Sequence, residues 1–189
     1  MNSVIDDYQR DFKLAFTSFF QNRIDDAVNL VIEKLESNQV FVIGNGGSAA
    51  IAQHFATDWS KGLYGLNKKK SNVISLTTNS SILTAIGNDL NFEEIYSHQI
   101  EIQGKEGDLL VAISSSGNSR NILKAIRSAQ KNKMVTIGLS GFNGGELSKL
   151  VDNAVVVRSN NMQVIEDVHG IFGHLVYKYV ESYGLIETK

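Results

Sequence analysis

Between Ser3 and Ser37 apolar residues recur at helical spacing: Phe12, Ala15, Phe16 and Phe19, then Ile24, Ala27, Val28, Val31, Ile32 and Leu35. The pattern predicts one or two amphipathic helices. A helix placed ahead of the first strand must bury its apolar face on a partner surface, in this chain or in a second subunit. Val40-Phe41-Val42-Ile43 follows, a continuous apolar run of strand length, and then Gly44-Asn45-Gly46-Gly47-Ser48 and a helical stretch to about Lys61. The alternation repeats. Strands are predicted at Val73–Leu76, Leu109–Ile113, Val135–Leu139 and Ala154–Val157. Helices are predicted up to about Gly87, from near Asn121 to about Asn132, and from Met162 to Tyr183.

Strands that are apolar on both faces and alternate with helices predict a parallel sheet covered on both sides. Ligands of such sheets bind beyond the carboxyl ends of the strands. Polar, glycine- or serine-rich loops stand at those ends here. With 189 residues and no linker or repeat, the chain reads as one domain over 1–189.

Composition narrows the function classes. A net charge of -2 gives no reason to expect nucleic acid or a membrane surface, and no apolar run approaches transmembrane length. The absence of cysteine excludes disulfides and thiolate metal sites. The acidic, polar start is unlike a signal peptide, so a cytoplasmic location is expected. The chain also has no proline against 16 glycines, so turns fall to Gly, Asn and Ser. Lys68-Lys69-Lys70 reads as a solvated loop that could steer an anion if it edged the active-site mouth.

Gly44-Asn45-Gly46-Gly47-Ser48-Ala49 lies between a strand and a helix. It reads either as a tight turn or as a ligand loop backed by a helix N-terminus, and the added Asn45 and Ser48 favour the ligand. Gly44, Gly46 and Ala49 match the spacing of a dinucleotide fingerprint, but no acidic residue closes the second strand, so no nucleotide cofactor is expected. Ser114-Ser115-Ser116-Gly117-Asn118-Ser119 is a stronger signal. Hydroxyls and backbone N–H groups at a helix start form a neutral phosphate cradle. A simple helix cap needs one such residue, not five. No G-K-[ST] follows, which excludes a P-loop, and no G-x-S-x-G elbow marks a serine hydrolase.

These loops, with Ala85-Ile86-Gly87-Asn88-Asp89 and the His-bearing final helix, resemble the phosphoheptose isomerases, in the same order and over nearly the whole chain. The resemblance implies a sugar isomerase (SIS) type, flavodoxin-like three-layer α/β sandwich, with a five-stranded parallel sheet and a long N-terminal helix. It implies a homotetramer in which residues 1–37 pack on partner subunits, with active sites between subunits. The implied reaction converts the phosphorylated sugar sedoheptulose 7-phosphate to a mannoheptose 7-phosphate, toward lipopolysaccharide or capsule heptose. By position, Ser114, Ser116 and Ser119 would bind phosphate with help from Ser48, while Asn45, Asn88 and Asp89 would meet the open-chain sugar.

Ketose–aldose isomerisation needs a base at the carbons, an acid at the oxygens, and exclusion of water. The resemblance assigns proton transfer to Asp58 and His174. Some relatives bind zinc with these two positions and those of His54 and Glu166, which makes His54, Asp58, Glu166 and His174 a candidate zinc set. Glu166 is also a candidate for binding substrate. Glu166 and His174 are eight residues apart, about 12 Å along a helix. His169 lies on another face and reads as structural, and His98 as a surface residue. The chain departs from its relatives at Asp58 (their Glu), Glu166 (their Gln), Gly62 (often Arg) and Gln163 (often Asp). An isomerase of another phosphosugar, or a non-catalytic SIS sensor or scaffold, remains an alternative reading.

Overall fold

The computed structural model describes residues 2–67 and 70–183. The N-terminal pattern folds as two helices, α1 (Asn2–Phe19) and α2 (Ile24–Ser37). Strand β1 (Gln39–Gly44) leads to α3 (Gly47–Thr57), one wide π-type turn (Asp58–Gly62) and a short α4 (Leu63–Asn67). Then come β2 (Asn72–Ser75), α5 (Ser80–Asp89), a 3-10 turn (Phe92–Glu94), α6 (Ser97–Gln103) and β3 (Leu109–Ser114). The chain continues through α7 (Arg120–Lys131), β4 (Val135–Gly141), α8 (Leu147–Leu150), β5 (Asn153–Val157) and α9 (Met162–Tyr183). The sequence pattern leaves α6 and α8 unassigned, because both are too short for a helical period to emerge.

All five strands are parallel, in the order β2-β1-β3-β4-β5. Each strand feeds alternate residues to opposite faces. Val40, Val42, Leu109, Val111, Ile113, Ile137 and Leu139 pack against α1, α2, α3 and α9. Phe41, Ile43, Leu110 and Ala112 pack against α5, α6, α7 and α8. This is the three-layer sandwich expected from the doubly apolar strands. The strand order reverses between β1 and β3, where Gly44 is in register with Ile113. The glycine and serine loops therefore leave the sheet side by side at the switch point, where open α/β sheets hold their ligands.

One contact fixes α9 on α3. A Cβ built at Gly173 would lie 2.3 Å from both Cδ1 and Cε1 of Phe55, so glycine alone lets the two helices approach. Phe55 stacks on Trp59 with ring centroids 4.9 Å apart, and the Trp59 indole N–H donates to the Gly173 carbonyl at 3.1 Å. Trp59, Phe55 and Phe172 are fully buried. On the other side of α9, the Tyr8 hydroxyl donates to Asp167 at 2.5 Å and joins α1 to the domain. That bond, with burial, holds the Tyr8 phenol up at about 12. Exposed Val4, Ile5, Leu14, Phe16 and Phe20 remain along and just beyond α1.

Lys68 and Lys69 lie outside the described residues, and Lys70 is exposed. Lys70 shares a cleft with Glu36, Gln39, Lys105 and Asp108 at the amino edge of the sheet, opposite the glycine and serine loops. Among the described residues, no helix is long and apolar enough to cross a membrane.

Two glycines of α9 separate close packing from helix propensity. Gly173→Ala should cost about 1–3 kcal/mol, because Phe55 is buried against Trp59 and has nowhere to go. A Cβ at Gly170 would meet nothing within 4 Å. Gly170→Ala should therefore stabilise the protein by about 0.5–1 kcal/mol. Urea unfolding midpoints check both signs, and a neutral or stabilising Gly173→Ala would refute the packing argument.

Candidate active site

The close approach of α3 and α9 brings His54, Asp58 and His174 together. Their ligand-type atoms all lie within 4.8 Å of one another. His54 Nε2 is 2.9 Å from His174 Nε2 and 3.3 Å from Asp58 Oδ2. The two imidazole rings meet edge to face, with centroids 5.1 Å apart. His54 and Asp58 share a face by their spacing of four. The wide turn then starts at Asp58 itself, a feature often found at functional sites. Hydroxyls take up carbonyls around this turn: Thr57 Oγ1 donates to Gln53 at 3.0 Å, and Ser60 Oγ donates to Ala56. A cleft of about 510 Å³ opens beside the cluster, lined by Thr57, Asp58, Lys61, Gly62, His174, Tyr177 and Lys178. His54 and His174 are exposed and Asp58 is half-buried.

Glu166 stands apart from this cluster. Its carboxylate lies against the glycine loop, where a Cβ at Gly47 would be 2.3 Å from Oε2. Gly47 opens α3, so the carboxylate sits in the favourable field of a helix N-terminus. Of the four candidate zinc ligands, the structure thus brings three together and leaves the fourth at the loop. The rise of about 12 Å between Glu166 and His174 along α9 accounts for the separation.

The glycine loop is shaped by close approach. Gly46 has φ +54°, and a Cβ at Gly44 would fall 2.4 Å from the Ser48 carbonyl oxygen. Ser48 is buried. Asn45 exchanges two hydrogen bonds with Asn121 in the first turn of α7, at 2.9 and 2.8 Å. This reciprocal amide pair joins the glycine loop to the helix that follows the serine loop. Beneath, the buried Tyr96 hydroxyl donates to the Gly44 carbonyl at 2.5 Å, and burial pushes this phenol up to about 12. Asn121 and Tyr96 escape the sequence reading. One looks like a surface helix residue, and the other falls in the unassigned stretch before β3.

The serine loop wraps a left-handed Gly117 at φ +66°. A Cβ there would meet the Gly144 carbonyl at 2.2 Å. Ser114 Oγ donates to Ser119 Oγ at 3.1 Å, and the Asn118 N–H donates to Ser116 Oγ at 3.1 Å. Ser119 occupies the N-cap of α7, but its side chain caps no backbone N–H. The Ile122 N–H is instead taken by Asn121 Oδ1 at 3.0 Å, and the Ser114, Ser116 and Ser119 hydroxyls gather at this helix start. Asn88 and Asp89 end α5, exposed, with the Asn88 amide donating to Asp89 at 2.8 Å. The chain returns at Glu93 and Glu94, which pair with Arg120 and Lys124 in the first turns of α7 at 3.1 and 2.6 Å. Those cations hold both carboxyls below the usual carboxylate range.

His169 is fully buried, and its Nε2 lies 3.1 Å from the Ser140 carbonyl at the end of β4. Burial pushes this imidazole down to about 4. His98 is exposed.

A SIS domain model matches residues 8–141. The chain is 40% identical over 164 residues to the phosphoheptose isomerase of Helicobacter pylori strain P12, covering 86% of this chain and 85% of that protein. It is 39% identical over 184 residues to that of Campylobacter jejuni strain 81116, covering 96% and 98%. The solved phosphoheptose isomerase of Neisseria gonorrhoeae superposes with a TM-score of 0.85 at 31% identity, over 96% of both chains.

The buried His169 predicts an acid sensitivity. Its folded value of about 4 lies below its ordinary 6.5, so between these pH values the unfolded chain binds a proton that the native chain refuses. Stability is complete above the ordinary value and falls as the pH drops toward 4, by at most about 3 kcal/mol from this group. Urea unfolding at pH 7 and pH 5 should show the loss, and His169→Phe should reduce it. An equal loss in both proteins would remove His169 as the cause.

Proposed function

The chain belongs to the phosphoheptose isomerase family of SIS-domain proteins and is a sugar-phosphate isomerase; we propose that it converts sedoheptulose 7-phosphate to D-glycero-D-manno-heptose 7-phosphate through an enediol. The observation that carries this reading is the meeting of Asp58 and His174 from two helices at one cleft. In the proposed reaction Asp58 takes a proton from C1 and returns it to C2. His174 gives a proton to O2 and receives the one leaving O1. Atoms and charge balance over the two steps, and the aldose is released with one proton moved between carbons and one between oxygens.

The proposed phosphate site is Ser114, Ser116 and Ser119 at the start of α7, with Ser48 from the neighbouring loop. Asn88, Asp89 and Glu166 are the proposed sugar contacts. Asn45 combines such a contact with its amide pair to Asn121, which sets the spacing of the two loops. The proposed site is cytoplasmic and needs no nucleotide.

A zinc ion fits the histidine cluster. Bonds of about 2.0–2.1 Å in tetrahedral geometry separate ligand atoms by about 3.3 Å. His54 Nε2 lies at 3.3 Å from Asp58 and 2.9 Å from His174, close to that spacing. Three protein ligands would leave a fourth position open for a sugar oxygen, which the ion would polarise, so that with zinc bound the ion, in place of an Nε2 proton of His174, would carry the charge developing on O1 and O2. Glu166 would act from the glycine loop instead of as a fourth ligand. The exposed apolar residues of the α1 region, with Tyr64 and Leu66 of α4, supply the surfaces for a proposed tetramer.

A different phosphosugar is the second reading, and Gly62 favours it. A Cβ there would sit 2.7 Å from Tyr177 Cε2, so Tyr177 forms the cleft wall and no side chain enters from position 62.

Purified protein should convert sedoheptulose 7-phosphate to an aldoheptose 7-phosphate by NMR, with activity lost to a chelator and restored by zinc. His174→Ala should lower kcat by at least about 100-fold with binding within about 3-fold. Ser119→Ala should raise KM about 10-fold, in line with one lost hydrogen bond to a charged group. Parallel loss of binding and turnover in the His174 variant would remove its proton-transfer role. Binding without turnover would move the substrate to another phosphosugar. Light scattering on the eluting protein should give the mass of four chains, and an active monomer would refute the assembly.

A further inference from the structure

The carboxyl ends of β3 and β4 carry a buried polar arrangement that proton transfer does not use. His169 Nε2 faces a carbonyl oxygen, which only accepts, so Nε2 carries the ring proton and Nδ1 presents a lone pair. That Nδ1 is buried without a hydrogen-bond partner, and so are the hydroxyls of Ser115 and Ser140. Nδ1 is an acceptor and each hydroxyl carries a donor proton, but Ser140 stands between Leu139 and Gly141, which face α9, so its side chain turns to the other face of the sheet.

Sheet geometry puts them on the same side. Leu109, Val111 and Ile113 face α9 in the core formed with Val164, Ile165 and Val168. Ser115 continues that alternation just beyond β3. Its carbonyl accepts from the Gly141 N–H at 2.8 Å. Gly141 itself lies beneath Ile165, whose Cδ1 would be 2.4 Å from a Cβ at that position. His169 is one helical turn beyond Ile165 and reaches the adjacent Ser140 carbonyl. The imidazole thus stands over the strand end from which the serine loop departs. Leaving a matched donor and acceptor both unpaired in such a place is costly.

We infer that His169 is a positioning residue for the serine loop, tying the end of β4 through the Ser140 carbonyl and the start of the loop through the Ser115 hydroxyl by way of one internal water. It touches no substrate atom. It sets where Ser114, Ser116 and Ser119 stand relative to the start of α7. The inference rests on the reading of that loop as the phosphate site. It assigns to His169 a role in affinity distinct from the role of His174 in turnover.

The test separates the two readings. His169→Phe keeps the ring shape and removes both polar atoms. It should raise the Kd for inorganic phosphate and the KM for sedoheptulose 7-phosphate about tenfold, with kcat within about threefold of the parent. His169→Gln, which returns an N–H for Ser140, should recover most of that loss. A folded His169→Phe with parental Kd and KM overturns the inference, as does an equal fall in kcat and rise in KM that glutamine fails to rescue. Should the phenylalanine variant not fold, nitrogen-15 NMR of the parent decides. His169 Nδ1 should report as an unprotonated, hydrogen-bonded nitrogen and move downfield in Ser115→Ala, whereas an unmoved signal overturns the pairing. If phosphate affinity is instead indifferent to Ser119→Ala, the phosphate-loop reading falls. The nitrogen-15 shift then decides the Ser115–His169 pair without reference to any ligand.

Discussion

The meeting of His54, Asp58 and His174 hangs on one steric fact: at Gly173 there is room for the Phe55 ring and for nothing more. Helices that carry larger residues at their crossing stand 8–10 Å apart. Here the missing side chain lets α9 settle onto α3, with the Trp59 indole bonded to the Gly173 carbonyl. The next residue along is His174, and the facing residue on α3, one before Phe55, is His54. A rigid aromatic contact in the core is thereby converted into a separation of 2.9 Å between two imidazoles at the surface. The wide turn at Asp58 adds the third group without breaking the helix, because nearby hydroxyls take up carbonyls that a regular ladder would have used.

The phosphate-type loops depend on a second constraint, the reversal of strand order between β1 and β3. Two helix starts are set next to each other by topology alone, and their N–H groups offer positive ends in parallel. Neutral groups hold the loops in place: the Asn45–Asn121 amide pair on top and the Tyr96 hydroxyl below Gly44. No charge in the loops themselves competes with a dianion. The carboxylate of Glu166 at Gly47 is the exception, and it gives this chain a negative group where a neutral amide would leave the helix field free for the ligand.

The layered fold was legible in the sequence because doubly buried strands leave continuous apolar runs and each long helix leaves a period. The edges of that legibility follow from the same physics. Helices α6 and α8 are too short to show a period, and the wide turn at Asp58–Gly62 shares the composition of the helix it interrupts. Asp58 and His174 could be chosen from sequence by resemblance, yet spacing along one helix says nothing of a meeting between two. It is Gly173, an unremarked residue in a helical pattern, that encodes the meeting. Glu166 shows the converse: grouped with the histidines by resemblance, it is carried by the pitch of α9 to the glycine loop. Asn121 looks like an ordinary helix residue, and Tyr96 like part of an unassigned connection, until the fold gives each a loop to hold.

The exposure of the cluster sets the remaining requirement. An enediol in open water would exchange its protons with solvent, so the proposed proton transfer by Asp58 and His174 would need a cover. A single chain does not provide it, since both imidazoles are exposed and the adjoining cleft is open. The segment that follows Gly62 carries exposed Tyr64 and Leu66, and the α1 region carries a longer series of exposed apolar residues. Apolar surface of that extent is uneconomical in an isolated subunit. Burying it against another copy would stabilise the proposed assembly, and a copy set over the cleft would dry the proposed site. On this argument the proposed chemistry and the proposed assembly stand or fall together, because the exposed imidazoles and the exposed apolar series would both be met by a partner copy.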